Sequence, residues 1–150
     1  MQVVNKTQTV YYFKNTCRHC FNDIEFPLLG DFSYGELILQ TCDGQDFCIA
    51  VLIDNSTFDF IANTLTNDKE LKSKKVDPQN ILTLVADKIN DKEFTSDYPI
   101  CPICKKRQTY FNDNTKTSER ELLFASWNDF ENLTDDNKIK RIRQAIQMLT

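Results

Sequence analysis

The stretch "YYFKNTCRHCF", residues 11–21, decides how this chain is read. It places Cys17 and Cys20, with two residues between them, directly behind a strand-like run of aromatic side chains. A lone C-x-x-C is ambiguous: it serves as a redox dithiol, as half of a metal site, or as neither. The chain supplies a second pair. Cys101 and Cys104 stand in "YPICPICKKRQTYF", residues 98–111. Four thiolates are the number a tetrahedral structural zinc ion takes, and two intervening residues let one tight turn aim both sulfurs at one metal. Residues 21–100 separate the pairs, so the site is expected to join distant parts of the chain.

"CPIC" followed by Lys105 resembles the knuckles of zinc ribbons and rubredoxin-like sites. In those, Pro often follows the first Cys and Gly the second. The resemblance implies one structural zinc ion held by Cys17, Cys20, Cys101 and Cys104. Phe21 and Lys105 occupy the glycine position here, so the turns are expected to draw a positive φ from non-glycine residues or to use another geometry. A thioredoxin-type dithiol needs one pair at a helix start in a βαβ setting, and neither pair has a strong amphipathic helix directly behind it. Iron is chemically possible in a four-cysteine site, but zinc is commoner. His19, the one histidine, lies inside the first pair and is expected at the surface. Cys42 and Cys48 flank a hairpin turn and read as half-buried strand thiols, with a disulfide or a second metal site as the alternatives.

Around these pairs the chain reads as one α+β domain spanning residues 1–150: a small antiparallel sheet, about three helices and the four-cysteine site. Residues 8–15 form a strand. "FPLLGDFSYG" is a loop with apolar anchors. "ELILQTCDGQDFCIAVLID" is a hairpin about Asp43-Gly44. "STFDFIANTLTN" is a helix with Phe58, Ile61, Ala62 and Leu65 on one face and a capping box from Ser56 to Asp59. Asp77 and Pro78 open a second helix reaching Asp91. A strand runs from about Glu121 to Ser126. A terminal helix, residues 134–149, carries an apolar stripe of Ile139, Ile142, Ile146 and Leu149. The opening "MQVVNKTQTV" has no basic segment followed by an apolar run, and "CIAVLI" is far too short to span a bilayer. The expected location is the cytoplasm, where clustered thiols mean metal more often than disulfide.

The formal charge is -4, and its distribution is uneven. Between His19 and Asn67 there is no Lys or Arg, while Asp and Glu recur throughout. Such a stretch suits a basic partner better than nucleic acid. Catalysis finds little to work with. The single His supports no Ser-His-Asp or Cys-His arrangement, four Cys ligands close a metal shell, and no P-loop, G-x-G-x-x-G or H-E-x-x-H is present. The expected function is therefore a non-catalytic protein-binding module. Glu36, Asp43, Asp46, Asp54 and Asp59 would make its acidic field, and Trp127 and Tyr34 are its candidate apolar anchors, core packing being the other reading of Trp127. In size, charge and lack of catalytic residues the chain resembles small acidic bacterial immunity proteins, which neutralise a toxin that is often a basic nuclease. The alternative is a zinc-ribbon-like nucleic-acid or transcription accessory, suggested by the basic and aromatic residues of "CKKRQTYF".

Overall fold

Alternating burial builds the sheet, and one change of phase shapes it. The computed structural model describes residues 7–29, 35–108 and 115–149. Among these the elements run β1 (Thr7–Thr16), β2 (Asp23–Leu28), β3 (Glu36–Thr41), β4 (Phe47–Val51), α1 (Ser56–Asn67), α2 (Pro78–Leu84), β5 (Phe94–Thr95), β6 (Lys116–Phe124), α3 (Asn128–Glu131) and α4 (Asp135–Met148). In β1, Val10 and Tyr12 are buried, and then Asn15 and Cys17 take over. The register against β6 shifts between Tyr12 and Phe13, where Thr117 of β6 is the extra residue, while the pairing with β2 runs on unbroken; over the same stretch the buried set of β1 passes from even to odd positions. Cys17, the residue after β1, falls on the buried side.

The described strands form one six-stranded sheet in the order β2-β1-β6-β4-β3-β5. The α+β class is as expected, but the sheet is larger than the small antiparallel one read from sequence, and it is mixed. β4 and β6 run parallel and touch through Cys48↔Leu123 and Ile49↔Phe124 alone. Two halves, β2-β1-β6 and β4-β3-β5, therefore meet at a narrow seam. Ala125 lengthens it by donating its N–H to the Ile49 carbonyl at 2.8 Å.

The helices cover one face. Leu39, Cys48 and Ala50 pack there with Ile61 of α1, Ile81 and Leu82 of α2, and Ile142 and Ile146 of α4. The alternate residues Ile38 and Ile49 join Val10, Tyr12 and Leu122 in a second cluster. Full burial of each large aliphatic side chain contributes about 1.5–3 kcal/mol. The hairpin forms as expected, with Leu39 opposite Cys48. α4 buries Ile142 and Ile146, while Ile139 and Leu149 are only half-buried.

Five readings change. "FPLL" belongs in part to β2, because Pro27 lies on the outer strand of the sheet, where a missing N–H is tolerated. α2 ends at Leu84 rather than near Asp91. Beyond it Asn90 and Asp91, at φ 49° and 61°, turn the chain back so that Ile89 bridges Lys92. β6 starts at Lys116 and is longer than expected, and α3 adds a fourth helix. Finally, α1 is capped by Asn55, whose side chain accepts the Phe58 N–H at 3.0 Å, and not by Ser56. No helix among the described residues is long and apolar enough to cross a membrane.

Candidate metal centre

Each C-x-x-C pair closes a turn of the same geometry. In the first, Cys17 N–H donates to the Asn22 carbonyl at 3.0 Å and Phe21 N–H to the Cys17 carbonyl at 2.9 Å. In the second, Cys101 N–H donates to the Lys106 carbonyl at 2.9 Å and Lys105 N–H to the Cys101 carbonyl at 2.8 Å. Phe21 and Lys105 take φ values of 63° and 65°, so both knuckles do find their positive φ in non-glycine residues. Backbone N–H groups then point at the first sulfur of each pair. Cys17 Sγ faces the amides of His19 and Cys20 at 3.4 and 3.5 Å. Cys101 Sγ faces those of Ile103 and Cys104 at 3.4 and 3.5 Å.

The two turns meet. Cys17 Sγ lies 3.6 Å from Cys104 Sγ, and Cys20 Sγ lies 3.7 Å from Cys101 Sγ. All four sulfurs fall within 4.8 Å of one another. A tetrahedron with metal–sulfur bonds of about 2.3 Å has edges of about 3.8 Å, so the donor set has the size and number to hold one metal ion. Cys17 and Cys101 are fully buried, while Cys20 and Cys104 are half-buried. His19 is exposed on the turn.

Electrostatics divides the four thiols. Burial works against a Cys17 thiolate, yet the N–H groups of Cys20 and His19 and the Gln108 amide outweigh it and hold the pKa at about 6. The Asn22 N–H lowers Cys20. Burial pushes Cys101 up to about 12. A cation among the sulfurs offsets that burial cost, because it favours the charged form of every ligand.

Two buried glutamines hold the site, and sequence reasoning missed both. Gln108 donates from Nε2 to Cys17 Sγ at 3.3 Å and to the Lys106 carbonyl at 3.0 Å, so it spans the two knuckles. Gln40 of β3 donates to the Ile100 carbonyl at 2.9 Å and accepts the Ile100 N–H at 2.8 Å. It ties the second knuckle to the sheet. Nothing local marks either residue, since Gln40 reaches across 60 positions and Gln108 across 91.

The site also spans the seam of the sheet. Cys17 and Cys20 sit between β1 and β2, in one half. Cys101 and Cys104 follow β5, in the other. No family model matches this chain, and no curated protein or solved structure matches it either. Geometry alone speaks for the site.

The remaining candidates are scattered. Asp43 and Asp46 both face Lys92 Nζ, at 2.8 and 2.7 Å, so at the hairpin turn their charge is compensated. Asp43 also accepts from the Thr41 hydroxyl at 2.6 Å and the Gln45 N–H at 3.0 Å. Glu36 stands at the other end of the hairpin, opposite Val51, with one carboxylate oxygen buried. Asp54 and Asp59 are exposed near the start of α1. These five residues form no single rim. Trp127 is buried in the helical core, and its Nε1–H donates to the Leu82 carbonyl at 2.9 Å. Tyr34 lies outside the described residues. Cys42 is exposed and Cys48 buried, and both are free thiols. Burial raises Cys48 to about 11, so it behaves as a small apolar residue of the core.

Proposed function

We propose that this chain is a non-catalytic, zinc-stabilised binding module whose partner is a basic protein, in the manner of an immunity-type inhibitor covering a toxin or nuclease. Zinc is the ion the donor set favours over iron: four thiolates in two tight knuckles, with no position left open to a substrate. Its role is structural, because it spans a sheet seam of two residue pairs.

The observation that carries the partner reading is an acidic helical end. Asp54 and Asp59 flank the start of α1. Glu131 of α3 accepts the hydroxyls of Ser56 and Thr57 at 2.9 and 3.1 Å, which sets Asp129 and Glu131 beside them. α4 opens with Asp135 and Asp136 further along, Asp135 lining a separate hollow with Asn63 and Asn67 of the later part of α1. Among the described residues none of these carboxylates belongs to an ion pair. Ile53, 59% exposed, stands in the same hollow as Asp54 and Glu131 and supplies the apolar contact that an anchor needs. Such a field speeds association with a basic protein, and buried anchors supply the affinity.

The test is the association rate with a basic protein captured from the native cell. Asp54→Lys with Asp59→Lys should slow it at least tenfold at low salt and much less at high salt, in protein shown to be folded, the midpoint falling modestly because Asp54 holds φ 55°. A rate indifferent to salt and to both reversals removes the acidic end from the function. The second reading, a nucleic-acid accessory, concerns another end of the molecule and is favoured by a different observation: the exposed cations of the second knuckle.

A further inference from the structure

The knuckles display what a buried structural site does not need. Phe21 is 77% exposed and Ile103 is 56% exposed. Phe21 also holds the left-handed backbone, at φ 63°, which costs a bulky residue on the order of 1–2 kcal/mol and glycine nothing. A glycine would be the better residue for the fold on both counts. An exposed ring kept in a strained position calls for a use outside the fold.

The two knuckles also carry exposed basic residues. Residues 17–22 and 98–108 contain Arg18, Lys105, Lys106 and Arg107 and no Asp or Glu. Phe21 follows Cys20 and Ile103 precedes Cys104, and the four sulfurs converge within 4.8 Å, so both apolar side chains belong to one end of the molecule. Asp23, Asp97 and the hairpin turn with Asp43, Asp46 and Lys92 border the knuckles, so the basic residues form a local cluster and not a net positive end. Lys105 is engaged internally, donating to the carbonyls of Asp43 and Pro102. Lys106 and Arg107 are exposed and make no ion pair among the described residues.

The acidic end lies elsewhere. The β3–β4 hairpin presses its turn on the second knuckle, with Gln45 Nε2 donating to the Pro102 carbonyl at 3.2 Å, and its far end leads through Val51 to Asp54. The strands between set the two charged regions at least about 14 Å apart. Lys106 and Arg107 therefore stand apart from that acidic end, although the chain's net charge is -4.

We infer that the knuckle end binds single-stranded nucleic acid, with the Phe21 ring as a stacking platform for a base and Lys106 and Arg107 as phosphate contacts. A flat exposed ring on a knuckle with exposed cations suits a nucleobase on a phosphate chain better than the apolar side chain of an acidic protein. The inference rests on the zinc-stabilised fold of the proposed function but not on its basic protein partner.

The experiment is fluorescence anisotropy with a labelled single-stranded oligonucleotide of about twelve nucleotides, on zinc-loaded protein across a salt series. Phe21→Gly is the decisive variant. It removes the ring and relieves the strain, so zinc content and melting temperature should hold or rise while binding weakens roughly tenfold or more. Lys106→Ala with Arg107→Ala should flatten the slope of log affinity against log salt by about 1.4. Wild-type protein that ignores the oligonucleotide overturns the inference, as does full binding by Phe21→Gly. Binding of an acidic peptide in its place, or self-association that depends on Phe21, assigns this end to another occupant and overturns it equally. Loss of zinc from the wild type under the same conditions would instead indict the metal reading, which the zinc assay detects separately.

Discussion

Gly44 stands so close to Pro102 that a Cβ placed on it would lie 2.8 Å from the Pro102 Cα. The turn of the β3–β4 hairpin is thus seated against the backbone of the second knuckle, and the glycine serves two ends. It adopts φ 77°, and it leaves room for a segment more than fifty residues away. Gly44→Ala meets both obstacles. It should cost about 1–3 kcal/mol of stability and also weaken metal binding, because the knuckle has to retreat. Denaturant melts and a zinc competition titration read the two effects, and a neutral result in both would show that the turn and the knuckle move independently.

Removing the metal should loosen the molecule unevenly. Purified protein should contain about one zinc per chain, and Cys17→Ser should lose it. Zinc at a thousand times its Kd stabilises the folded state by about 4 kcal/mol, which chelation would remove. Hydrogen exchange should rise first in residues 14–24 and 98–108, and least in α1 and α4. Full stability and unchanged exchange in metal-free protein would defeat the structural role.

The hairpin turn has its own pH signature. Burial alone would raise the Asp43 carboxyl, but Lys92, the Thr41 hydroxyl and the Gln45 N–H outweigh it and hold it well below the usual carboxylate range. A depressed folded pKa contributes stability above the unfolded value of about 3.9 and loses it as pH falls toward the folded value. Asp43→Asn should therefore be less stable than wild type at pH 7, and the gap should close below about pH 4. A gap of constant size from pH 7 to 3 would mean that the carboxylate charge contributes nothing.

The terminal helix should show a steep contrast between its faces. Ile142 is fully buried, so Ile142→Ala is expected to cost about 2–4 kcal/mol, while Lys140→Ala on the exposed side stays within about 0.5 kcal/mol. Equal small losses at both positions would mark α4 as peripheral.

The four-cysteine cluster was legible in the sequence because a C-x-x-C knuckle is a local device: the turn that aims two sulfurs is written in the residues beside them. The supports were not. Gln40 and Gln108 act across 60 and 91 positions, and a lone glutamine looks like any surface residue until the fold buries it. The same distance hid Lys92, 46 positions from Asp46, which turns an apparent acidic rim into a closed ion pair. β2 was obscured by Pro27, whose helix- and sheet-breaking character counts for little on an outer strand. Trp127 has the composition of an interface anchor, and its burial in the helical core with a hydrogen bond to Leu82 shows that the indole serves the interior.

The narrow seam between β4 and β6 also bears on how the chain assembles. β3 and β4 are joined by residues 42–46 and can pair as soon as they exist. β1 cannot complete its neighbours that way, since Thr7 is matched with Leu123 and the first knuckle with one beginning at Cys101. During synthesis Val10, Tyr12 and two reduced thiols therefore wait for the final third of the chain. A ribosome-bound N-terminal piece holds only half a ligand set and an uncovered strand edge. The supply of metal, and of protection from oxidation, matters most in that interval.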